Sequence, residues 1–219
     1  MIEAGTTGLR TWTAAFFLAQ YLLQNPDIVL QKRVLELGSG IGFTGIVVGT
    51  VQVLSQAQGS PLPKLWLTDV DETVLSVCRR NVDLSCNLSS LHGNIQVARI
   101  DWFDALNETS AYNMSFVIRE QMDPELIIGS DIVFDPSLIK PLLSTLKLAI
   151  TDSNRTALFA LTMRNETTMS MFLSSAQSMG FMVEELAHLA GSTGTEEFLL
   201  PNVAEDMSRV KLLKLYWKS

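Results

Sequence analysis

Apolar and polar residues trade places along the chain with two different periods, and the alternation of those periods lays out the fold. Residues 14–24 set bulky apolar side chains at Phe17, Leu18, Tyr21 and Leu22, the i, i+3, i+4 spacing of an amphipathic helix. Asn25 and Pro26 stop it, because proline cannot continue the hydrogen-bond ladder. Residues 33–37 (RVLEL) read as a short strand, followed at once by the glycine-rich turn GSGIG and a helix over about 43–54. A loop rich in Gln, Gly, Ser and Pro spans 55–63, in keeping with its turn-forming residues. The alternation then repeats: strand 64–68, helix 72–84, strand 94–100, strand 125–128, helix 136 to about 150, strand 156–162, helix 166–179 and a strand near 181–185. Residues 209–217 (RVKLLKLYW) alternate enough to form a last strand. The polar stretch between 102 and 125 carries no clear period and receives no element.

Strands alternating with helices of this length predict a mostly parallel sheet with helices on both faces. Two final strands with no long helix between them predict one antiparallel member near the C-terminus. With no internal repeat, the 219 residues suit a single domain over 1–219, of which 1–30 form an N-terminal motif and helix.

Composition narrows the class. Hydrophobic residues at 47% and charged residues at 18% exclude a disordered tail or a coiled coil. The longest apolar stretch, 14–23, includes Gln20 and is too short to cross a bilayer. The first residues lack the order of a signal peptide. A net charge of −7 disfavours nucleic acid as the main partner, since phosphates need a clustered positive field. Cys78 and Cys86 fall in a segment that reads as helix, where eight residues of rise separate them by roughly 12 Å, too far to bridge. Reduced thiols fit a cytoplasmic protein, and a monomer is expected.

In an open parallel sheet, ligands bind beyond the carboxyl ends of the strands, so the residues following each strand matter most. After the first come Glu36, Gly38, Ser39, Gly40 and Gly42; after the second, Asp69; after the third, Asp101 and Trp102. Glycines let the backbone turn tightly and approach a ligand. A carboxylate ending the second strand can accept hydrogen bonds from ribose hydroxyls, and Trp102 can stack on adenine. Gly40, Gly42 and Gly45 also spell GxGxxG, so an NAD(P)-dependent oxidoreductase is the rival. Glu36 decides against it: it would repel a pyrophosphate but suits S-adenosylmethionine, which brings an ammonium and a sulfonium instead.

Six segments carry a family resemblance: GTTGLRTWTAA (5–15), RVLELGSGIGFTGI (33–46), LTDVD (67–71), IDW (100–102), SDIVFDP (130–136) and LTMRN (161–165). Together, in this order, the chain resembles the family 16 seven-strand protein lysine methyltransferases. The resemblance implies a Rossmann-like, seven-stranded class I methyltransferase fold that uses S-adenosylmethionine. It implies that Trp12 lies against the cofactor, that Gly38, Ser39 and Gly40 contact its methionine portion, and that Asp69 holds ribose. Asp101 and Trp102 would border adenine, and Ser130 would line the pocket. The family's DxxY element maps to Asp131 and Phe134, where the carboxylate would orient the acceptor amine and the ring would offer a cation–π face, without tyrosine's hydroxyl. The acid expected after the TWxAA tryptophan is Thr13 here. Members often carry an N-terminal extension, and this chain starts almost at the motif. The implied acceptor is a lysine of a protein, with elongation factor 2 favoured. A methyltransferase-fold binding module without activity is the non-enzyme alternative.

Other chemistry-bearing residues receive plainer readings. His92 and His188 lack a metal-ligand constellation, so no metal is expected. Asn165 reads as a helix cap, with Arg164 beside it where loops could meet substrate. Asp135, just before Pro136, is the better cap for the helix there, which frees Asp131 for the ligand side. Glu196 and Glu197 read as a solvated acid pair.

Overall fold

The computed structural model describes residues 7–56, 60–186 and 207–217. Gly5, Thr6, His188, Glu196 and Glu197 lie outside the described residues. The first elements run α1 (Thr13–Gln24), β1 (Val34–Leu37), α2 (Phe43–Leu54), β2 (Leu65–Asp69), α3 (Glu72–Val82), α4 (Leu88–His92) and β3 (Ile95–Arg99). They continue with a 3-10 turn (Trp102–Leu106), α5 (Glu108–Phe116), a π-helical turn (Val117–Met122), β4 (Leu126–Ser130) and α6 (Ile139–Ala149). The last are β5 (Thr156–Thr162), α7 (Glu166–Ser178), β6 (Phe181–Leu186) and β7 (Val210–Trp217).

The strands pair into one seven-stranded sheet in the order β3-β2-β1-β4-β5-β7-β6. β1 through β5 run parallel, and β7 runs antiparallel to both of its neighbours, β5 and β6. The sheet agrees with the expected mostly parallel class and its single reversed strand. Because β1 is sandwiched between β2 and β4 and covered on both faces, all four of its residues are buried, which is why they read as a continuous apolar run interrupted only by Glu36. Two apolar layers flank the sheet. One packs Leu142, Leu146 and Phe172 of α6 and α7 on Ile127 and Phe159. The other packs Leu18 and Leu22 of α1 with Val48 of α2 on Val34, Leu65 and Ile128.

The sequence-derived bounds of the elements hold within a residue or two, and two stretches differ. The stretch between 102 and 125 is helical rather than irregular. α5 buries only Met114, so it has no apolar stripe to read. α3 ends at Val82, which leaves Cys86 exposed in the following loop while Cys78 is buried in the helix. Both cysteines are free thiols.

Candidate active site

Parallel strands with β1 and β4 adjacent place the reversal of strand order between them, because the chain leaves β1 toward β2 on one side and returns to β4 on the other. A crevice at the carboxyl ends follows from that topology. The structure has a cavity of about 420 Å³ there, walled by Thr7 to Trp12 ahead of α1, the glycine turn after β1, Asp69 after β2, Asp101 and Trp102 after β3, and Ser130 to Ile132 after β4.

The turn after β1 works because two of its positions, Gly38 and Gly40, lack side chains. Gly38 and Gly40 both have positive φ, 63° and 55°, a region that costs other residues strain. A Cβ on Gly38 would stand 2.7 Å from Ile132 Cγ2 and 3.5 Å from the Trp102 ring, and one on Gly40 would stand 2.9 Å from the Gly8 carbonyl oxygen. The turn is therefore pressed between the Trp102 wall and the segment leading into α1. Gly40 N–H donates to Asp69 Oδ2 at 3.1 Å, which ties the turn to the end of β2. The other Asp69 oxygen accepts from Val70 and Asp71 N–H at 2.8 and 3.2 Å. Burial raises the Asp69 pKa, while these three amides pull it back down. Ser39 is buried on the cavity wall, with its hydroxyl turned to the Cys78 thiol.

Trp12 stands at the start of α1 and donates its indole N–H to the Thr7 carbonyl at 3.1 Å. Two cations approach its ring: Arg10 Cζ is 4.8 Å and Arg164 Cζ 5.0 Å from the ring centroid. Asp101 accepts from Phe103 N–H at 3.1 Å and pairs with Arg99, so it pins the turn that presents Trp102. Asp131 sits at φ 52°, uncommon for a residue with a side chain. Three bonds hold it there: from Thr162 N–H at 2.7 Å, Thr162 Oγ1 at 3.0 Å and Arg164 Nη2 at 2.9 Å. Its carboxylate is therefore engaged by β5 and the residue two beyond it, not open as the sequence implied. Phe134 is 52% exposed on the cavity rim. Asp135 caps the turn opened by Pro136, accepting from Ser137 N–H at 2.8 Å. Asn165 caps α7.

Two expected contacts are corrected. Neither Glu36 nor Gly42 reaches the cavity wall. Glu36 is 1% exposed and lies beneath the turn, 2.7 Å from where a Cβ on Gly45 would stand. Burial pushes its carboxyl up to about 8, with the Gly45 amide and Thr44 hydroxyl pulling more weakly the other way. Burial thus favours its neutral form and weakens it as the charge that sorts one ligand from another. Gly42 faces inward, where a Cβ would meet Cys78 Sγ at 2.8 Å. The Cys78 thiol is pushed up to about 12, chiefly by burial, and is inert for that reason. Gly45 packs α2 on β2, where a Cβ would collide with Leu67 Cδ2 at 2.0 Å, the helix–strand contact that the third glycine of a GxGxxG turn also makes.

The remaining named residues do meet at the cavity: Trp12, Gly38, Ser39, Gly40, Asp69, Asp101, Trp102, Ser130, Asp131 and Phe134. Sequence reasoning missed Arg10, Phe43 and Ile132 as wall residues. Arg10 had one available signal, its place two residues before Trp12. Among the described residues, no group of three or more His, Cys, Asp or Glu could hold a metal, and no helix is long and apolar enough to cross a membrane.

Among curated relatives, the protein-lysine N-methyltransferase EEF2KMT of Homo sapiens is 30% identical over 199 residues, covering 84% of this chain and 54% of that protein. The protein-lysine N-methyltransferase EFM3 of Chaetomium thermophilum is 32% identical over 187 residues, covering 82% of this chain and 50% of that protein. The chain thus spans about half the length of the curated relatives it matches. Among solved structures, the glycopeptide N-methyltransferase MtfA, complexed with sinefungin, aligns with a TM-score of 0.58 at 10% identity over 94% of both chains. The precorrin-6y C5,15-methyltransferase of Geobacter metallireducens aligns with a TM-score of 0.57 at 12% identity, covering 97% of this chain and 92% of that one. At such identities the likeness is one of fold, and it is the methyltransferase fold expected above. A family model described as lysine methyltransferase matches residues 3–179. That stretch takes in every wall of the cavity, and the chain belongs to the lysine methyltransferase family.

Proposed function

We propose that the cavity binds S-adenosyl-L-methionine and that the chain transfers a methyl group from it to the Nε of a protein lysine, with elongation factor 2 as the substrate. One observation carries the reading: a turn with no Cβ at Gly38 and Gly40 lies between the Asp69 carboxylate and the Trp102 ring, in a chain of this family. The fit is physical. The cavity falls within the ~300–1,000 Å³ usual for small-molecule sites, and the cradle at Gly38 and Gly40 would be filled by any side chain. Gly38, Ser39 and Gly40 would hold the methionine portion, Asp69 the ribose, and Asp101 with Trp102 the adenine. Trp12 and Ser130 complete the wall.

When bound, the donor supplies a methyl group made electrophilic by a positively charged sulfur. What the chain adds is positioning. Asp131 accepts three hydrogen bonds, and a carboxylate offers about four acceptor sites. One site therefore remains for the acceptor amine, in an orientation fixed by Thr162 and Arg164. Phe134, exposed at the rim, offers its ring face to an incoming cationic side chain. The apolar rim of Ile100, Ile132, Phe134 and Leu138 limits water around the amine, which favours the neutral form that attacks. Elongation factor 2 is favoured by the ordered set of motif segments, and a net charge of −7 suits a basic, lysine-bearing surface.

Incubation with isotope-labelled donor and purified elongation factor 2 tests the reading. The wild-type chain should label the factor on lysine. Asp131→Ala should lower the rate by about 100-fold, the cost of a misplaced reactant, while binding the donor nearly as well as wild type. Equal turnover by Asp131→Ala contradicts the role given to that carboxylate. Donor binding without labelling of any protein makes the chain a binding module.

A further inference from the structure

The charged groups around the cavity are unevenly committed. Four carboxylates line it, Asp69, Asp71, Asp101 and Asp131, and two guanidiniums, Arg10 and Arg164. Asp69 accepts three backbone amides, Asp71 caps α3 through Thr73 and Val74, and Asp101 pairs with Arg99. Asp131 and Arg164 pair with each other. Arg10 differs: among the described residues its printed partner is the face of Trp12, and none of them gives it an ion pair.

Its position is set by packing rather than by its own side chain. The Gly8 carbonyl presses on Gly40 so closely that a Cβ could not fit, and the Trp12 indole N–H ties back to Thr7. The segment between them, which carries Arg10, is thereby held against the glycine turn. A small anion entering this cavity meets carboxylates at the ends of β2, β3 and β4, and an uncommitted cation only beside the turn.

We propose that Arg10 is the anion-recognition residue of the site, its guanidinium taking the α-carboxylate of an amino-acid-bearing nucleoside through charge-assisted hydrogen bonds. This rests on the donor reading above, since S-adenosylmethionine carries its carboxylate on the portion assigned to the glycine turn. The Trp12 ring holds the guanidinium plane beside the turn, and a planar fork matches a carboxylate with two parallel bonds. Arg10 thus selects for the whole amino-acid end of the ligand, which the ribose and adenine contacts cannot do.

Calorimetric titration of the intact chain with S-adenosylmethionine and with its decarboxylated form, which lacks only that group, isolates the contact. Wild type should bind the carboxylate-bearing ligand about tenfold more tightly, the scale of one partly exposed charge-assisted pair, and added salt should shrink the difference. Arg10→Gln should lose that preference while binding the decarboxylated ligand as wild type does. Arg10→Lys, which keeps the charge without the fork, should retain part of it. Equal weakening of both ligands by Arg10→Gln, or no weakening of either, overturns the assignment of Arg10 and leaves the donor reading standing. Failure of wild type to bind either ligand overturns the donor reading, and this assignment with it.

Discussion

Glu36 shows how one side chain can be present in the right motif and still play a different part from the one its charge implies. It follows the apolar residues of β1 and precedes the glycine turn, yet it points beneath that turn, 1% exposed, beside Gly45 and Thr44. Its carboxyl pKa rises from 4.5 to about 8 because burial disfavours the anion. Between those values the unfolded chain ionises Glu36 while the folded chain keeps the proton. The folded state then binds more protons, so stability falls as pH rises through the window. Glu36→Gln, a neutral group of the same shape, should remove that fall. Thermal unfolding of wild type and variant across the window should give curves that diverge steadily toward the alkaline end, with the variant the more stable. Parallel curves would mean that Glu36 is ionised in the folded protein. The sequence shows the acid but not its direction, because all four β1 residues are buried on one face or the other, and which face lies under the turn is a matter of tertiary packing. Arg10 and Arg164 are the converse case. They are 154 positions apart in sequence and are both placed at the Trp12 ring by the fold, so no local pattern could have paired them.

At the level of elements, the reading succeeds wherever a periodic apolar face coincides with a start or stop signal. α2 and β5 occupy the positions expected of them, and α7 begins where Asn165 supplies a side-chain oxygen to the Thr167 and Thr168 amides at 2.8 and 3.3 Å. Asn165→Ala should lower unfolding free energy by about 1 kcal/mol, the usual value of such a cap, with donor affinity unchanged, measured by urea denaturation and titration. A loss of donor affinity in that variant would mean that the residue shapes the cavity rather than the helix. α5 was illegible because it buries a single side chain, Met114; a helix held mainly by its Asn107 cap and by its neighbours leaves little imprint on hydropathy. The strand-end acids were legible for the opposite reason: each is local to its strand, and the parallel topology carries all of them to one edge.

For the molecule as a whole, topology does most of the work of assembling the site. With β1 and β4 central and β7 reversed, the carboxyl ends of β1 to β4 converge on one crevice, and the segment ahead of α1 packs Gly8 on the glycine turn and sets Trp12 in the cavity wall. A cofactor gripped at three points from separate strands would tie these elements together, so everything proposed for the site turns on where that cofactor lies. A crystal structure of the chain with S-adenosylhomocysteine, the demethylated donor, decides it. The expected density runs with the amino-acid end along Gly38, Ser39 and Gly40, ribose at Asp69 and adenine against Trp102. A crevice that stays empty, or a ligand whose ribose lies away from Asp69, would contradict it.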